Sequence, residues 1–204
     1  MVNDDISKKD DKDSMKGISF WEEFGPSALT AKIRAEGMYN FGPSLSPNNA
    51  FYILQGIETL SLRMKKHIEN TKMMLEFLKE NESVSWLRHP DLEDHPDHKI
   101  AKKILPLGSG SIIVFGIKGG RDAGKAFIEN VKLSSHLANV GDAKTLLIHP
   151  GSTTHSHLSS EAMKMSGLTD DMIRLSVGLE DIEDIKIDFE KGFKAAAKIS
   201  SNKS

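Results

Sequence analysis

The sequence predicts an α/β domain, a mostly antiparallel sheet of four or five strands with helices on one face. Short β-rich runs, SIIVFGI at 111–117 and IRLSV at 173–177, alternate with stretches whose apolar residues recur at steps of three and four. The connections between these runs are longer than hairpin turns, so helices are expected to intervene between paired strands. With 204 residues, 38% of them hydrophobic, the chain can bury a sizeable core, and one globular domain is the default.

Taken in order, MVNDDISKKDDKDSMK mixes Asp and Lys with almost nothing apolar, and residues 1–19 are expected to be a disordered leader. Residues 20–47 read as a short helix and a connector. After Pro26, Ala28, Leu29 and Ile33 take helical spacing, Gly37 is placed to close the helix, and Pro43 and Pro47 stop any continuation through FGPSLSP. Residues 48–199 are expected to form the domain proper. It opens on one long helix over 48–81, with Ala50, Ile53, Leu54, Ile57, Leu60, Met64, Ile68, Leu75 and Leu78 as its stripe. Met64, Met73 and Met74 read as core filler, and Arg63, Lys65, Lys66, Glu69 and Lys72 as a solvated flank.

Trp86 and Leu87 read as strand. The crowd of His89, Asp91, Glu93, Asp94, His95, Asp97 and His98 lacks any zinc spacing, so it reads as a polar loop, with Pro96 opening a helix that runs to Leu105. After the strand at 111–117, KGGRDAGK has three glycines and three basic residues but neither Walker spacing nor a Lys-Ser/Thr ending. It reads as a turn into a helix reaching about Lys132. From Asp181 onward, Ile182, Ile185, Phe189, Phe193 and Ala196 make a helical stripe, with acidic residues suited to the helix dipole at its start; residues 200–204 form a tail.

A net charge of −2 with no basic stripe argues against nucleic acid or an acidic membrane surface as partner. With no cysteine there are no disulfides, thiolate metal sites or cysteine nucleophiles. No apolar run approaches the roughly 18 to 20 residues of a membrane span, and a cytoplasmic location is expected.

Arg174 is the chemical centre of the C-terminal region. Alternation in IRLSV sends Ile173, Leu175 and Val177 to a core and Arg174 and Ser176 to the other face. A planar fork of donors on a rigid strand suits a small carboxylate or phosphate, because two parallel hydrogen bonds fix orientation as well as charge. The pattern alone leaves open an ordinary structural arginine paired with an Asp or Glu. His149, His155 and His157 flank Ser152, Thr153, Thr154 and Ser156, but without a nucleophile elbow they suit a hydroxyl-lined substrate loop better than a hydrolase site.

Several stretches carry a family likeness: HLANVGDAKTLLIHPGSTTHS with IRLSVGLEDIEDI, FWEEFGPSALTAKIRAEGMYNFGPSLSPNNAFYILQGIETLSLRMKKHIENT, LEDHPDHKIAKKILP and GSIIVFGIKGG. Over roughly residues 20–197 the chain resembles the C-terminal part of the pyridoxal-phosphate enzymes of cysteine and methionine metabolism, most closely the O-acetylhomoserine sulfhydrylases (aminocarboxypropyltransferases). The resemblance implies the C-terminal domain of a fold-type I enzyme, with the long helix linking it to a larger N-terminal cofactor domain. No lysine here stands in the family's setting, Ser-x-x-Lys followed by an aromatic residue and a Gly-His pair, so a fragment lacking the Schiff-base lysine is expected, inactive alone and completed by the missing domain.

The resemblance further implies Arg174 as the main anchor of the substrate carboxylate, with Asn139 and Thr154 beside it. No catalytic, cofactor-binding or metal residue is expected in this chain. In the whole enzyme, expected to be a homotetramer, the reaction implied is γ-replacement, acetate leaving O-acetylhomoserine and sulfide adding to give homocysteine, with the cofactor as electron sink. Asn139, Val140, Gly141 and Asp142 replace the Ser-Leu-Gly-Gly run of the cystathionine branch. This favours the O-acetylhomoserine branch and keeps cystathionine γ-synthase or γ-lyase and methionine γ-lyase as alternatives. A non-catalytic interaction domain is the competing class.

Overall fold

A computed structural model describes residues 17, 19–150 and 167–201. Of the leader expected over 1–19, residues 1–16 and 18 lie outside the described residues, as do Thr154 and the hydroxyl-rich loop around it, while Ser19 is buried as a helix cap. The chain falls into two compact units, Met1–Gly56 and Ile57–Ser204.

The first unit is helical. Ser19 caps α1 (Phe20–Phe24), its hydroxyl accepting the Glu22 N–H at 3.3 Å. Pro26 forces a tight 3-10 turn, Gly25–Ser27, before α2 (Ala28–Lys32) resumes. A π-helical stretch (Ile33–Met38) and a last turn, α3 (Tyr39–Phe41), carry the helical path past Gly37. The closing residue is Gly42, not Gly37: its φ of 55° ends the helix while its N–H reaches the Met38 carbonyl at 2.9 Å. Phe20 is buried against Ala28, Ala31 and Ala35. Trp21, Phe24, Tyr39 and Phe41 stay exposed. Ser46 accepts the Asn49 N–H at the start of α4 (Pro47–Glu58), whose Phe51, Tyr52, Ile53 and Leu54 are exposed as well.

The single helix expected over 48–81 is divided. Thr59 leaves helical geometry (φ −102°, ψ 4°) between α4 and α5 (Leu60–Glu80). Gly56 just before it weakens the run, since glycine costs about 1 kcal/mol in a helix interior. The buried face of α5 is His67, Asn70, Thr71, Met74, Leu75 and Leu78, whereas Met64, Ile68 and Met73 are only half-buried.

The second unit holds a five-stranded sheet in the order β1-β2-β5-β4-β3: β1 (Val84–Arg88), β2 (Ile112–Ile117), β3 (Ser135–His136), β4 (Leu146–Ile148) and β5 (Met172–Ser176). All pairings are antiparallel except β3 with β4. One row, Leu87–Phe115–Ile173, faces the core, and the next, Arg88–Val114–Arg174–Ile148, faces away. The helix after Pro96 is α6 (His98–Ile104), beginning two residues later than expected, with Asp97 before it. The acidic and histidine crowd forms turns there: Asp91 accepts from Ser109 at 2.6 Å, His98 donates to the Pro90 carbonyl at 3.0 Å, and no metal cluster occurs among the described residues.

The core lies between the sheet and α5, α7 (Gly120–Asn130) and α8 (Ile182–Ser201). Phe115, Phe127, Phe189 and Phe193 pack ring on ring, with centroids 4.9 Å apart for Phe127–Phe193 and 5.3 Å for Phe127–Phe189. Gly192 lets α7 and α8 approach, since a Cβ there would meet the Phe127 ring at 2.6 Å. Asp188, in the second turn of α8, accepts the Lys132 N–H at 2.7 Å and the Ser134 N–H at 2.9 Å, tying down the exit of α7. No described helix is long and apolar enough to cross a membrane.

Three buried groups make stability depend on pH. Burial lowers the pKa of His89, against the pull of Asp91 at 3.9 Å, and His89 Nδ1 accepts the Asp91 N–H as a neutral ring must. Burial likewise lowers that of His149, whose ring lies against Gly124. For Asp188 burial works the other way, but the backbone N–H groups of Lys132, Ser134 and Leu133 outweigh it and hold the carboxyl below its usual value. In the unfolded chain the histidines titrate near about 6.5 and the aspartate near about 3.9. All three folded values are depressed, so the unfolded chain binds more protons and stability falls as pH falls. The urea midpoint is expected to be flat above about pH 7, to decline as pH drops below about 6.5, and to decline again below about 4. A midpoint rising between pH 7 and 5 contradicts this.

Candidate functional site

Arg174 sits at the middle of β5, the central strand, with Val114 of β2 on one side and Ile148 of β4 on the other. Its neighbours Ile173 and Leu175 are completely buried, so the backbone beneath the guanidinium is anchored in the core. The guanidinium leaves the opposite face. Its Nη2 donates to the backbone carbonyl of Asn139 at 3.2 Å, and no carboxylate pairs with it among the described residues. The fork therefore keeps donor positions free of described side-chain partners.

Asn139 lies on the loop between β3 and β4, which is exposed from residue 137 to 140. Its side chain is turned onto its own loop: Oδ1 accepts the Val140 N–H at 2.9 Å, and Nδ2 donates to Asp142 at 3.3 Å. Asp142 also accepts the Lys144 N–H at 3.0 Å, and this bond is the main reason its pKa is lowered. Arg174 and Asn139 are thus brought together through the asparagine's main chain. Thr154, the third residue singled out from the sequence, lies outside the described residues.

Sequence reasoning passed over the groups beneath this loop. Thr145 is fully buried; its N–H donates to Glu180 Oε1 at 2.7 Å, its hydroxyl donates to Oε2 at 2.8 Å, and that hydroxyl accepts the Gly178 N–H at 3.0 Å. Asn70 Nδ2 donates to the carbonyls of Gly178 and Glu180 at 3.0 and 2.9 Å, and His67 Nδ1 to that of Val177 at 2.7 Å. The only sequence signal was a set of polar residues, His67, Asn70 and Thr71, at helical spacing on one face of α5.

The site offers a cation, oriented by a backbone carbonyl on one side, which suits a small anion.

A family model described as Cys/Met metabolism PLP-dependent enzyme matches residues 6–194. Sulfhydrylase FUB7 of Fusarium oxysporum is 45% identical over 183 residues, 90% of this chain and 42% of that protein. O-acetyl-L-homoserine sulfhydrylase 1 of Thermus thermophilus is 46% identical over 175 residues, 86% of this chain and again 42% of its own length. The chain thus spans less than half the length of these relatives. Among solved structures, a putative O-acetylhomoserine (thiol)-lyase from Campylobacter jejuni, holding N'-pyridoxyl-lysine-5'-monophosphate, superposes with a TM-score of 0.76 at 29% identity. That match covers 94% of this chain and 46% of the other. On its sequence and on a sheet with α/β topology shared with these enzymes, this chain belongs to the pyridoxal-phosphate-dependent enzymes of cysteine and methionine metabolism.

Proposed function

We propose that this chain is the C-terminal, substrate-holding portion of an O-acetylhomoserine sulfhydrylase. The observation that carries the reading is Arg174: a strand-mounted guanidinium facing away from the core, oriented by a backbone carbonyl and without a described carboxylate partner. In this role Arg174 holds the α-carboxylate of O-acetylhomoserine, and Thr154 completes the site with the Asn139 loop. The reaction is replacement of acetate by sulfide to give homocysteine. Pyridoxal phosphate supplies the electron sink for it, from a cofactor domain outside this chain. Arg174 positions the substrate and transfers no proton.

The N-terminal cofactor domain is the partner this reading requires, and the whole enzyme is a homotetramer. Exposure of Trp21, Phe24, Phe41, Phe51 and Tyr52 supports a partner-covered surface on the first unit, since isolated proteins rarely leave so many large apolar side chains uncovered. Treatment of the purified chain with pyridoxal phosphate followed by borohydride, read by peptide mass spectrometry, is expected to give only scattered, substoichiometric lysine adducts. A stoichiometric adduct on one lysine defeats the reading, because the chain then carries its own cofactor site.

A further inference from the structure

The loop that meets Arg174 is exposed at its tip, yet its base is tied to the exit of β5 by several hydrogen bonds. From α5, Asn70 and His67 grip the carbonyls of Val177, Gly178 and Glu180 as the chain leaves β5. From that exit, the Leu179 N–H reaches the Ala143 carbonyl at 2.8 Å, and the Glu180 carboxylate takes both the N–H and the hydroxyl of Thr145. Bonds thus join the helix to the strand exit and the strand exit to the loop base, and at the other end of that loop the guanidinium donates to the Asn139 carbonyl. Gly178 makes room for this: a Cβ there would strike the Glu180 carboxylate and the backbone of Lys144 and Thr145.

We propose that Thr145 and Glu180 form a positioning clip which holds the 139–145 loop so that the Asn139 carbonyl aims the Arg174 guanidinium. Neither residue touches the anion-binding face; both act through the loop. A bidentate fork recognises a carboxylate only when its plane is set beforehand, because an arginine free to rotate must give up that freedom on binding. One hydrogen bond from an exposed loop would not set the plane unless the loop were itself fixed. Thr145 suits the task because one buried hydroxyl both donates to Glu180 and accepts from Gly178. The clip stands on the hydrogen-bond geometry; its consequence for ligand affinity rests on the proposed role of Arg174 as a carboxylate anchor.

The test uses the full chain, with arginine side chains labelled at Nε and the Arg174 signal assigned by its loss in Arg174→Lys. In the ligand-free parent, the Arg174 Nε–Hε heteronuclear NOE is expected to match that of the ordered backbone. Thr145→Val, which keeps the shape and loses the hydroxyl, and Glu180→Ala are expected to lower it toward that of exposed Arg88, and Thr145→Ser to restore it. Spectra are taken where circular dichroism shows each variant folded, with Glu180→Asp replacing Glu180→Ala if the latter does not fold. An Arg174 NOE unchanged in the folded Thr145 and Glu180 variants overturns the clip, even where their melting temperatures fall. A second arm adds sodium acetate, with acetamide as the neutral control. Saturable movement of the parent Arg174 signal is expected, with the dissociation constant rising about tenfold in Thr145→Val. Absence of any acetate response in the parent sinks the carboxylate-anchor role and leaves the first arm to decide the clip.

Discussion

Arg174→Ala is expected to leave the thermal unfolding of the isolated chain within about 2 °C of the parent, while removing most substrate use from the enzyme completed by a cofactor domain. The first half follows from the lack of a described carboxylate partner, since substitutions away from buried networks usually stay within about 0.5 kcal/mol. The second follows from the proposed role of Arg174, in which the substitution removes a charged, bidentate contact to the substrate carboxylate. Such a loss is worth about 2–5 kcal/mol, or roughly 30- to several-thousand-fold in kcat/KM. Arg174→Lys should recover little of it, because an ammonium keeps the charge and loses the planar fork. If instead the alanine variant loses its cooperative transition, Arg174 is a structural residue, since breaking a buried pair costs about 3–5 kcal/mol.

Phe127→Ala is expected to cost about 3–5 kcal/mol of folding stability, lowering the melting temperature by about 10 °C. Phe127 meets Phe115, Phe189 and Phe193 and lies over Gly192, so its removal opens a hole between the sheet and the two helices that cover it. The hole cannot close easily, because three of the surrounding rings are themselves held by one another. Whole domains are stable by only about 5–15 kcal/mol, so this one truncation takes a large share. Urea unfolding of the variant provides the check, and a loss below about 1 kcal/mol would show that the ring cluster repacks.

Where a side chain's environment follows from period, the sequence was readable. Alternation in IRLSV put Ile173 and Leu175 in the core and Arg174 on the far face, and the stripe of Ile185, Phe189, Phe193 and Ala196 is the buried face of α8. Reading failed where polar groups replace apolar ones in the interior. On α5 the expected stripe is buried at Leu75 and Leu78, but in the first half of the helix Met64 and Ile68 are only half-buried and the face that packs is His67, Asn70 and Thr71, because the strand exit beside it presents carbonyls that need donors. Thr145 and Glu180 carry no periodic signal at all, and their bond joins two connections that only the fold brings together. The break at Thr59 and the shift of the helix end from Gly37 to Gly42 are backbone events that many residues tolerate, so side-chain pattern could not place them.

The strand order also governs when the sheet can exist. β2 pairs with β1 early in the chain, but its other side is filled by β5, made only after α7, β3 and β4 have been synthesised. Until Met172–Ser176 emerges, the second edge of β2, an apolar strand, has unpaired N–H and C=O groups, the condition under which nascent chains pair with the wrong neighbour. Closure then requires ends that are far apart in sequence to meet, which makes assembly slow compared with a helical bundle of this size. A ribosome-bound chain truncated before Met172 would accordingly be expected to engage chaperones, and release from them should coincide with synthesis of the same strand that carries Arg174.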